Sequence, residues 1–510
     1  MSFKILDCTL RDGGYYTDWD FPDDIVNLYI EAVNALPIEY IEIGYRNLAH
    51  PSYMGRFAYT PVSILNTIRE HCTKKISLMI NEKEVKPEDL ETLLNPIVGK
   101  VDMIRLAVDP KNFKRAIVLA SHIKDKGFKV GFNVMYMSKW EEDPSFLDAI
   151  RDVNQVADLF CMVDSFGGIM PNEVKKIYSI IKKDVSINIG FHGHDNLEMS
   201  LANSIAAIEE GVDFIDSTIL GMGRGAGNLK TELLLTYMSK QGWEVDFNIL
   251  GEIVSAFSYL KDKYKWGTNL PYMLSGAYSI PQKDVMGWIS NPAYSFNSIV
   301  SALDKKRNKS EETLSFPIFK GYHKECLIIG GGHSVEDHLS AILEYVKTKP
   351  ELALIFATAR HAGYFKDCSN SKYYCLTGDE SKRLSKNLNG GQDFKGVCII
   401  APSPRLMSPD VPAFALKNTY ELESLRFGSN YSDSCTAIAI ETALSFGAEK
   451  VSVVGYDGYK GEILSEKEMT LTTENRNLFR TFNSISSKPL VTLTPSLYPD
   501  LTVKSIYSII

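Results

Sequence analysis

The chain has 510 residues, 45% of them hydrophobic, and a formal net charge of −8. This length allows more than one hydrophobic core, and the acidic balance argues against nucleic acid and anionic membranes as partners. No apolar run reaches the about 20 residues of a transmembrane helix, and none of the eight cysteines forms a Cys-x-x-Cys pair. We therefore expect a cytoplasmic protein with reduced thiols, no secretory leader and no membrane segment.

Short β-rich runs alternate with amphipathic helical stretches up to about Gln241. Eight strand–helix repeats predict a (β/α)₈ barrel, and near-continuous apolar strands agree with a parallel sheet. A doubly wound open sheet is the competing topology, and the count of eight favours the barrel. The predicted strands are Lys4–Thr9, Tyr40–Tyr45, Lys75–Ile80, Val101–Asp109, Lys129–Met137, Asp158–Asp164, Ser186–His194 and Val212–Leu220.

Two polar motifs close predicted strands 1 and 7, namely TLRDGG at Thr9–Gly14 and GFHGHDN at Gly190–Asn196. His192 and His194 are two residues apart on a strand, so their side chains point to one face and can bind one cation. Barrel closure makes strand 8 a neighbour of both strand 1 and strand 7, and barrel active sites lie at the carboxyl ends of the strands. We therefore expect Asp12 beside both imidazoles in a mixed oxygen and nitrogen metal site.

Two further side chains complete this predicted site. Asn228, in the loop after strand 8, offers a fourth oxygen ligand, and Arg11 next to Asp12 could donate to a developing oxyanion. A carboxylate with two imidazoles suits Mn²⁺ or Mg²⁺ best, and Co²⁺, Fe²⁺ and Zn²⁺ are compatible. Such a cation would hold a 2-oxo acid and lower the energy of its enolate. Structural hydrogen bonding by His192 and His194 is the alternative interpretation.

Four other polar residues lie on predicted barrel strands. Glu42, Arg105, Asn133 and Asp164 occur on strands 2, 4, 5 and 6, where they could face the pocket and bind substrate. Arg105 in particular could grip a carboxylate. The alternative for each of them is a polar residue within the layers of the barrel.

The chain changes character after the barrel, which we place at residues 1–243. Residues 244–300 read as a helical extension that covers the barrel site, and the polar residues 301–322 read as a linker. Residues 323–510 predict a smaller open α/β domain of the Rossmann-like kind. Its glycine-rich turn at Gly330–Ser334 could cradle the phosphate of a nucleotide or sugar ligand, although a tight strand–helix turn explains the glycines as well.

Three motifs resemble the metal-dependent aldolase and acyl-transfer barrels, the superfamily of hydroxymethylglutaryl-CoA lyase. They are LDCTLRDGG, GFHGHDN and GMGRGAGN, in that order along the chain, and the similarity extends through about half of the chain. The branch that they resemble most is 4-hydroxy-2-oxovalerate aldolase. The resemblance implies that Asp12, His192 and His194 bind the metal, that Asn228 is a further ligand and that Arg11 stabilises the enolate.

The chain departs from this family after the Arg-Asp pair. The aldolase branch carries a histidine base there and the condensing synthases carry Gly-Glu-Gln, whereas this chain has Gly14-Tyr15-Tyr16. Tyr15 or Tyr16 could act as a proton relay, or both could form an aromatic wall. Tyr278 resembles a tyrosine in a segment that covers the aldolase site, and core packing is its alternative role.

The leading hypothesis is a divalent-metal-dependent aldolase, a carbon–carbon lyase that joins or cleaves the enolate of pyruvate or another 2-oxo acid and an aldehyde. The second domain suggests a sugar-derived aldehyde and a role in sugar-acid or surface polysaccharide biosynthesis. The alternatives are a Claisen-type synthase that condenses an acyl-CoA with a 2-oxo acid, and a barrel that serves as a non-catalytic scaffold. Assembly into a homo-oligomer stays open.

Overall fold

The computed structural model describes residues 3–291, 294–307, 315–403, 405, 407, 410–426, 431, 433–460 and 464–510. The chain folds into two compact units, of which the first ends at Met286 and the second begins at Gly287. Within the described residues, no helix combines the length and the apolar character needed to cross a membrane.

The first unit is a closed barrel of eight parallel strands in chain order, which confirms the predicted (β/α)₈ architecture. Closure comes from pairing of the first strand with the eighth, with Leu6 opposite Asp216. The seventh strand also pairs with the eighth, through Gly190 and Phe214. The strands are β1 Lys4–Asp7, β2 Tyr40–Tyr45, β3 Lys75–Asn81, β4 Met103–Val108, β5 Lys129–Val134, β6 Leu159–Asp164, β7 Asn188–Gly193 and β8 Phe214–Ser217.

Helices surround this barrel and bury their apolar faces against the outside of the strands. All six residues of β2 are buried, because one side of each strand faces the helices and the other faces the filled barrel interior. These helices are Thr9–Thr17, Asp23–Ala35, Arg56–Tyr59, Val62–His71, Leu90–Leu94, Phe113–Asp125, Pro144–Ala149, Val153–Val156, Pro171–Ile181, Ser200–Glu210, Thr231–Ser239 and Phe247–Tyr264. Two more helices, Leu270–Ala277 and Gln282–Ser290, follow them along the chain.

The first predicted strand is too long, and the prediction that Arg11 and Asp12 end it is wrong. The strand stops at Asp7, and residues Thr9–Thr17 form a helix whose first turn carries both residues. The Asp7 carboxylate accepts the backbone N–H of Thr9 at 2.9 Å, which turns the chain out of the strand. Glycine is needed at Gly14, because a Cβ there would overlap the indole of Trp19.

The second unit contains one eight-stranded sheet in which every pairing is parallel, which confirms the predicted open α/β domain. The strands are β9 Glu325–Ile329, β10 Ala353–Phe356, β11 Lys372–Cys375, β12 Val397–Ile400, β13 Thr419–Glu421, β14 Lys450–Val454, β15 Val491–Thr492 and β16 Thr502–Val503. Their spatial order is β13-β12-β11-β10-β9-β14-β15-β16. Successive residues such as Leu327 and Ile328 belong to apolar cores on opposite faces of the sheet.

Helices of the second unit cover this sheet, and one helix runs into the predicted linker. Residues 301–307 of the region 301–322 belong to the helix Phe296–Arg307, and residues 308–314 lie outside the described part of the chain. The other helices of this unit are Ser334–Asp337, Leu339–Lys347, Glu380–Asn387, Cys435–Ser445 and Glu466–Ile485.

Candidate active site

The two histidines of the GFHGHDN motif lie side by side at the carboxyl end of β7. His192 is within the strand, and His194 follows it and forms an isolated bridge with Asn228 of the strand-8 loop. Their ring centroids are 5.0 Å apart. Barrel closure therefore brings the β7 motif against the loop after β8, as the strand order requires.

Each imidazole is held by an acceptor at Nδ1. His192 Nδ1 donates to Asp216 Oδ2 at 3.0 Å, and His194 Nδ1 donates to the backbone carbonyl of Asp164 at 2.6 Å. The Asp216 carboxyl is ionised, because Arg105 and His192 outweigh the opposing effect of burial and lower its pKa to about 2. With hydrogen on Nδ1, each ring keeps the lone pair of Nε2 for a cation.

Asp12 faces these histidines from the first turn of the helix Thr9–Thr17. Its Oδ2 lies 3.7 Å from His192 Nε2 and accepts Asn228 Nδ2 at 2.7 Å, while its Oδ1 accepts Arg11 Nη1. Burial opposes ionisation, but the charge of Arg11, together with the neighbouring His192 and His194, lowers the pKa of Asp12. The structure thus brings together a carboxylate, two imidazoles and an amide at one end of the barrel.

Neutral imidazole is the favoured form of His194. Burial, reinforced by His192, lowers the pKa of His194 to about 3. A neutral ring with hydrogen on Nδ1 is the form that binds a divalent cation through Nε2.

Below this cluster, a network of buried charges fills the barrel interior. Arg11 Nε donates to Glu42 Oε1 at 2.8 Å, and Arg105 Nη1 lies 3.4 Å from Glu42 Oε2. Arg105 also donates to Asp216 Oδ2 and to Asn133 Oδ1, both at 2.6 Å. Glu42 and Arg105 are fully buried, so these two predicted substrate-binding residues contact protein groups in this structure.

Asp164, another of the four predicted substrate-binding residues, closes the loop after β6. Its carboxylate accepts the backbone N–H groups of Gly167 at 3.0 Å and Ile169 at 3.4 Å. Burial raises its pKa to about 6. Gly167 has φ of +65°, and a Cβ there would overlap Asn196, so this turn requires glycine.

The two tyrosines after Gly14 have different surroundings. The Tyr15 hydroxyl lies 3.1 Å from that of Tyr45, and the Tyr16 hydroxyl donates to the carbonyl of Gly225 at 3.2 Å. Burial raises the pKa of Tyr16 to about 12. Tyr278 ends the helix Leu270–Ala277 and is 40% exposed.

The helix Leu270–Ala277, together with Gln282 at the start of the next helix, covers the loops after β6 and β7. Asn196 Nδ2 donates to the carbonyl of Tyr272 at 2.8 Å, and Gln282 Nε2 donates to Asn196 Oδ1 at 2.6 Å. A Cβ at Gly168 would overlap the carbonyl of Gly276. The first part of the predicted helical extension therefore packs next to the strand that carries the histidines.

The sequence interpretation missed two residues of the cluster. They are Asp216, which lies on β8, and Cys8, which directly follows the end of β1. One candidate ligand atom from each of Cys8, His192 and Asp216 lies within 4.8 Å of the other two. A charged residue inside the apolar run VDFIDSTIL was the available signal for Asp216. Burial and the charge of Asp12 raise the pKa of the Cys8 thiol, which disfavours the thiolate that a metal would need.

The donor set fits a divalent cation. The side-chain carbonyl Oδ1 of Asn228 is buried and has no hydrogen-bond partner among the described residues. A buried acceptor without a donor is costly, and a cation would satisfy it. Asp12, His192, His194 and Asn228 would supply oxygen and neutral nitrogen ligands of the kind that Mn²⁺ and Mg²⁺ accept.

The predicted phosphate cradle of the second unit already holds a carboxylate of the chain. The backbone N–H of Ser334 donates to Asp457 Oδ2 at 2.9 Å, and the Ser334 hydroxyl donates to Oδ1 of the same residue. A Cβ at Gly332 would lie 2.5 Å from Asp457 Cγ. The glycines therefore make room for Asp457 here, and a nucleotide or sugar ligand stays a prediction.

Comparison with known proteins agrees with the barrel motifs. A family model described as HMGL-like matches residues 103–257. The chain is 32% identical over 246 residues to a 4-hydroxy-2-oxovalerate aldolase from Spirochaeta aurantia, covering 47% of this chain and 70% of the relative. It is 27% identical over 249 residues to an oxaloacetate decarboxylase from Mycobacterium tuberculosis, with the same two coverages.

One solved structure is much more similar. It is the N-terminal domain of a candidate aldolase from Bacteroides vulgatus, 62% identical, with a TM-score of 0.57. The match covers 59% of this chain and 100% of that domain. The chain belongs to the HMGL-like family. The aldolase from Spirochaeta aurantia shows this, because the match is 32% identical and covers 70% of that relative.

Proposed function

We propose that the first unit is a divalent-metal-dependent aldolase, a carbon–carbon lyase that acts on pyruvate or another 2-oxo acid and an aldehyde. The observation that carries the proposal is the cluster of Asp12, His192, His194 and Asn228, whose two imidazoles keep Nε2 for a cation. The relatives named as an aldolase and an oxaloacetate decarboxylase support the carbon–carbon lyase class.

The cation would act as a Lewis acid that polarises the carbonyl of the 2-oxo acid. Arg11 is placed to stabilise the developing enolate oxygen, because Glu42 and Asp12 hold its Nε and Nη1. The Nη2 group forms no hydrogen bond with a described residue. A planar guanidinium fixed at two nitrogens presents the third without reorganisation.

In the synthesis direction, C3 of the 2-oxo acid releases a proton to solvent water and forms a bond to the aldehyde carbon, and the aldehyde oxygen takes up a proton. We assign this last proton to the Tyr15 hydroxyl, which lies 3.1 Å from the Tyr45 hydroxyl and can be reprotonated through it. Cleavage is the reverse sequence. Trp19 holds this part of the site in place by donating Nε1–H to the carbonyl of Arg11 at 2.9 Å.

The test is exchange of the pyruvate methyl protons with deuterium from solvent, followed by NMR. We expect exchange when Mn²⁺ or Mg²⁺ is present and none after the metal is removed with a chelator. The absence of exchange in metal-loaded protein would refute the aldolase proposal. Failure of the protein to retain any divalent metal would favour the scaffold alternative instead.

Two other reactions, Claisen-type condensation and decarboxylation of oxaloacetate, are distinguished from the aldolase reaction by their products. A Claisen-type synthase releases free thiol from an acyl-CoA, which a thiol reagent detects. Decarboxylation of oxaloacetate, suggested by the name of one relative, would also pass through the enolate of pyruvate. Direct measurement of CO₂ release from oxaloacetate, compared with cleavage of a 4-hydroxy-2-oxo acid, decides between the two lyase activities.

A further inference from the structure

Arg224 is a charged residue of the strand-8 loop to which the proposed chemistry gives no role. It lies in the glycine-rich segment Gly221–Asn228, and its guanidinium carbon is 3.9 Å from the centre of the Tyr15 ring. Gly225 next to it has φ of +66°, and a Cβ there would overlap the Gln282 side chain. The loop therefore packs directly against the Gln282 side chain. Arg224 lies over Tyr15, which belongs to the same helix as Asp12.

The ring beneath Arg224 belongs to a rigid aromatic group. Tyr15 packs edge-on against Trp19 with ring centroids 5.0 Å apart, and Trp19 packs edge-on against Tyr45 at 5.7 Å. The Tyr15 and Tyr45 hydroxyls are hydrogen-bonded, and Trp19 is bonded to the backbone of Arg11. Through these contacts, the guanidinium of Arg224 packs on the same helix that carries Arg11 and Asp12.

The charge of Arg224 is not neutralised within the described part of the chain. Arg11 and Arg105 each form ion pairs with carboxylates within 4.0 Å, whereas Arg224 forms no such pair with any residue that the structure describes. Burial opposes its charge, yet Tyr15, Tyr45 and Asp12 raise its pKa, so the side chain is cationic. A half-buried guanidinium that keeps its donors for a ligand is a site for an anion.

We propose that Arg224 binds an anionic group, a carboxylate or a phosphate, on the aldehyde that reacts with the 2-oxo acid enolate. This inference rests on the proposed function and narrows its second substrate to an anionic aldehyde. Arg224 is only half-buried, unlike Arg11, so it lies nearer the solvent from which that substrate arrives. The guanidinium fork matches both carboxylate and phosphate in two-point hydrogen bonding, and Tyr15 fixes its plane.

The experiment compares matched aldehydes with pyruvate in the metal-loaded full-length protein. Succinic semialdehyde is paired with butanal for the carboxylate, and glyceraldehyde 3-phosphate is paired with glyceraldehyde for the phosphate. We expect kcat/KM to favour the anionic member of at least one pair, which identifies the anion. In Arg224→Ala that preference should fall by about 10- to 100-fold, the loss expected for a charge-assisted hydrogen bond.

Two variants separate recognition from structural damage. Arg224→Lys keeps the charge without the fork and should recover part of the preference. Tyr15→Phe keeps the ring beneath the guanidinium, so the preference should persist even though the rate falls. Arg151→Ala is the matched control, because Arg151 is exposed and lies in the helical segment between β5 and β6, outside the candidate site.

The possible outcomes distinguish this inference from the proposed function. If the wild type exchanges pyruvate protons but shows no preference for either anionic aldehyde, the role of Arg224 is refuted and the aldolase proposal stands. An equal loss for charged and neutral aldehydes in Arg224→Ala, or a higher KM for pyruvate alone, would also refute it. Absence of exchange in the wild type would overturn both.

Discussion

His192 donates its Nδ1–H to Asp216 Oδ2 at 3.0 Å, and the same oxygen accepts a hydrogen bond from Arg105 at 2.6 Å. One carboxylate oxygen therefore orients a candidate metal ligand and also balances a fully buried guanidinium. The three residues come from β7, β8 and β4, so this contact exists only inside the closed barrel. It couples the candidate metal site to the charge network that fills the barrel.

Replacement of Asp216 tests that coupling. Asp216→Asn keeps the shape of the side chain but removes the charge behind His192, so we expect metal affinity to fall about 10- to 100-fold. Titration of the metal-free protein with Mn²⁺ measures the change. Asp213→Asn is the control, because Asp213 accepts the backbone N–H of Ile189 at the opposite end of the strands. Equal losses in the two variants would contradict a specific role of Asp216.

The candidate ligands are tested by truncation. Asp12→Ala and His192→Ala should each abolish metal retention and turnover while the barrel stays folded, because each removes one donor from the set. Metal content, circular dichroism and pyruvate exchange give the three readouts. The exposed His122, on the helix Phe113–Asp125, supplies the control His122→Ala. Normal turnover in either ligand variant would remove that residue from the proposed metal site.

Arg11 is expected to act on the reaction more than on the metal. Arg11→Lys should retain the cation yet lose most of the activity, because a point charge cannot pair with Glu42 and Asp12 and still present a donor to the enolate. Metal analysis and the exchange rate are measured on the same sample. If the variant lost metal in proportion to activity, Arg11 would be a support of the metal site only.

Arg105 is expected to be essential for stability. Arg105→Met removes a cation that Glu42 and Asp216 share, so that Arg11 and His192 are the basic side chains left beside these two buried carboxylates. We expect the free energy of unfolding to fall by about 3–5 kcal/mol. Urea unfolding followed by tryptophan fluorescence reports mainly on the first unit, which holds four of the five tryptophans. Arg151→Met on the exposed surface is the control, expected within about 0.5 kcal/mol of the wild type. A change of similar size in Arg105→Met would show that the network contributes little.

Local patterns in the sequence determined most of the barrel. The strand Tyr40–Tyr45 agrees with its predicted bounds, because a short apolar run reports the burial of a strand directly. The order of the motifs along the chain then placed Asp12 beside the histidines, since closure of eight parallel strands leaves β1 and β7 on either side of β8.

The tertiary structure decided the partners of the charged residues and the shape of short segments. Arg105 could be read as a substrate-binding residue, but its partners Glu42, Asn133 and Asp216 come from other strands, and no local pattern encodes such pairing. The helix Thr9–Thr17 contains two glycines, which lower its intrinsic helix propensity. Its sequence therefore does not predict a helix, and the packing of Gly14 against Trp19 appears only in the folded chain. Two-residue strands such as Val491–Thr492 likewise carry too little periodicity to be read from the chain. Sequence patterns report how each segment is buried, whereas the pairing of charges across the barrel depends on long-range geometry that only the folded chain supplies.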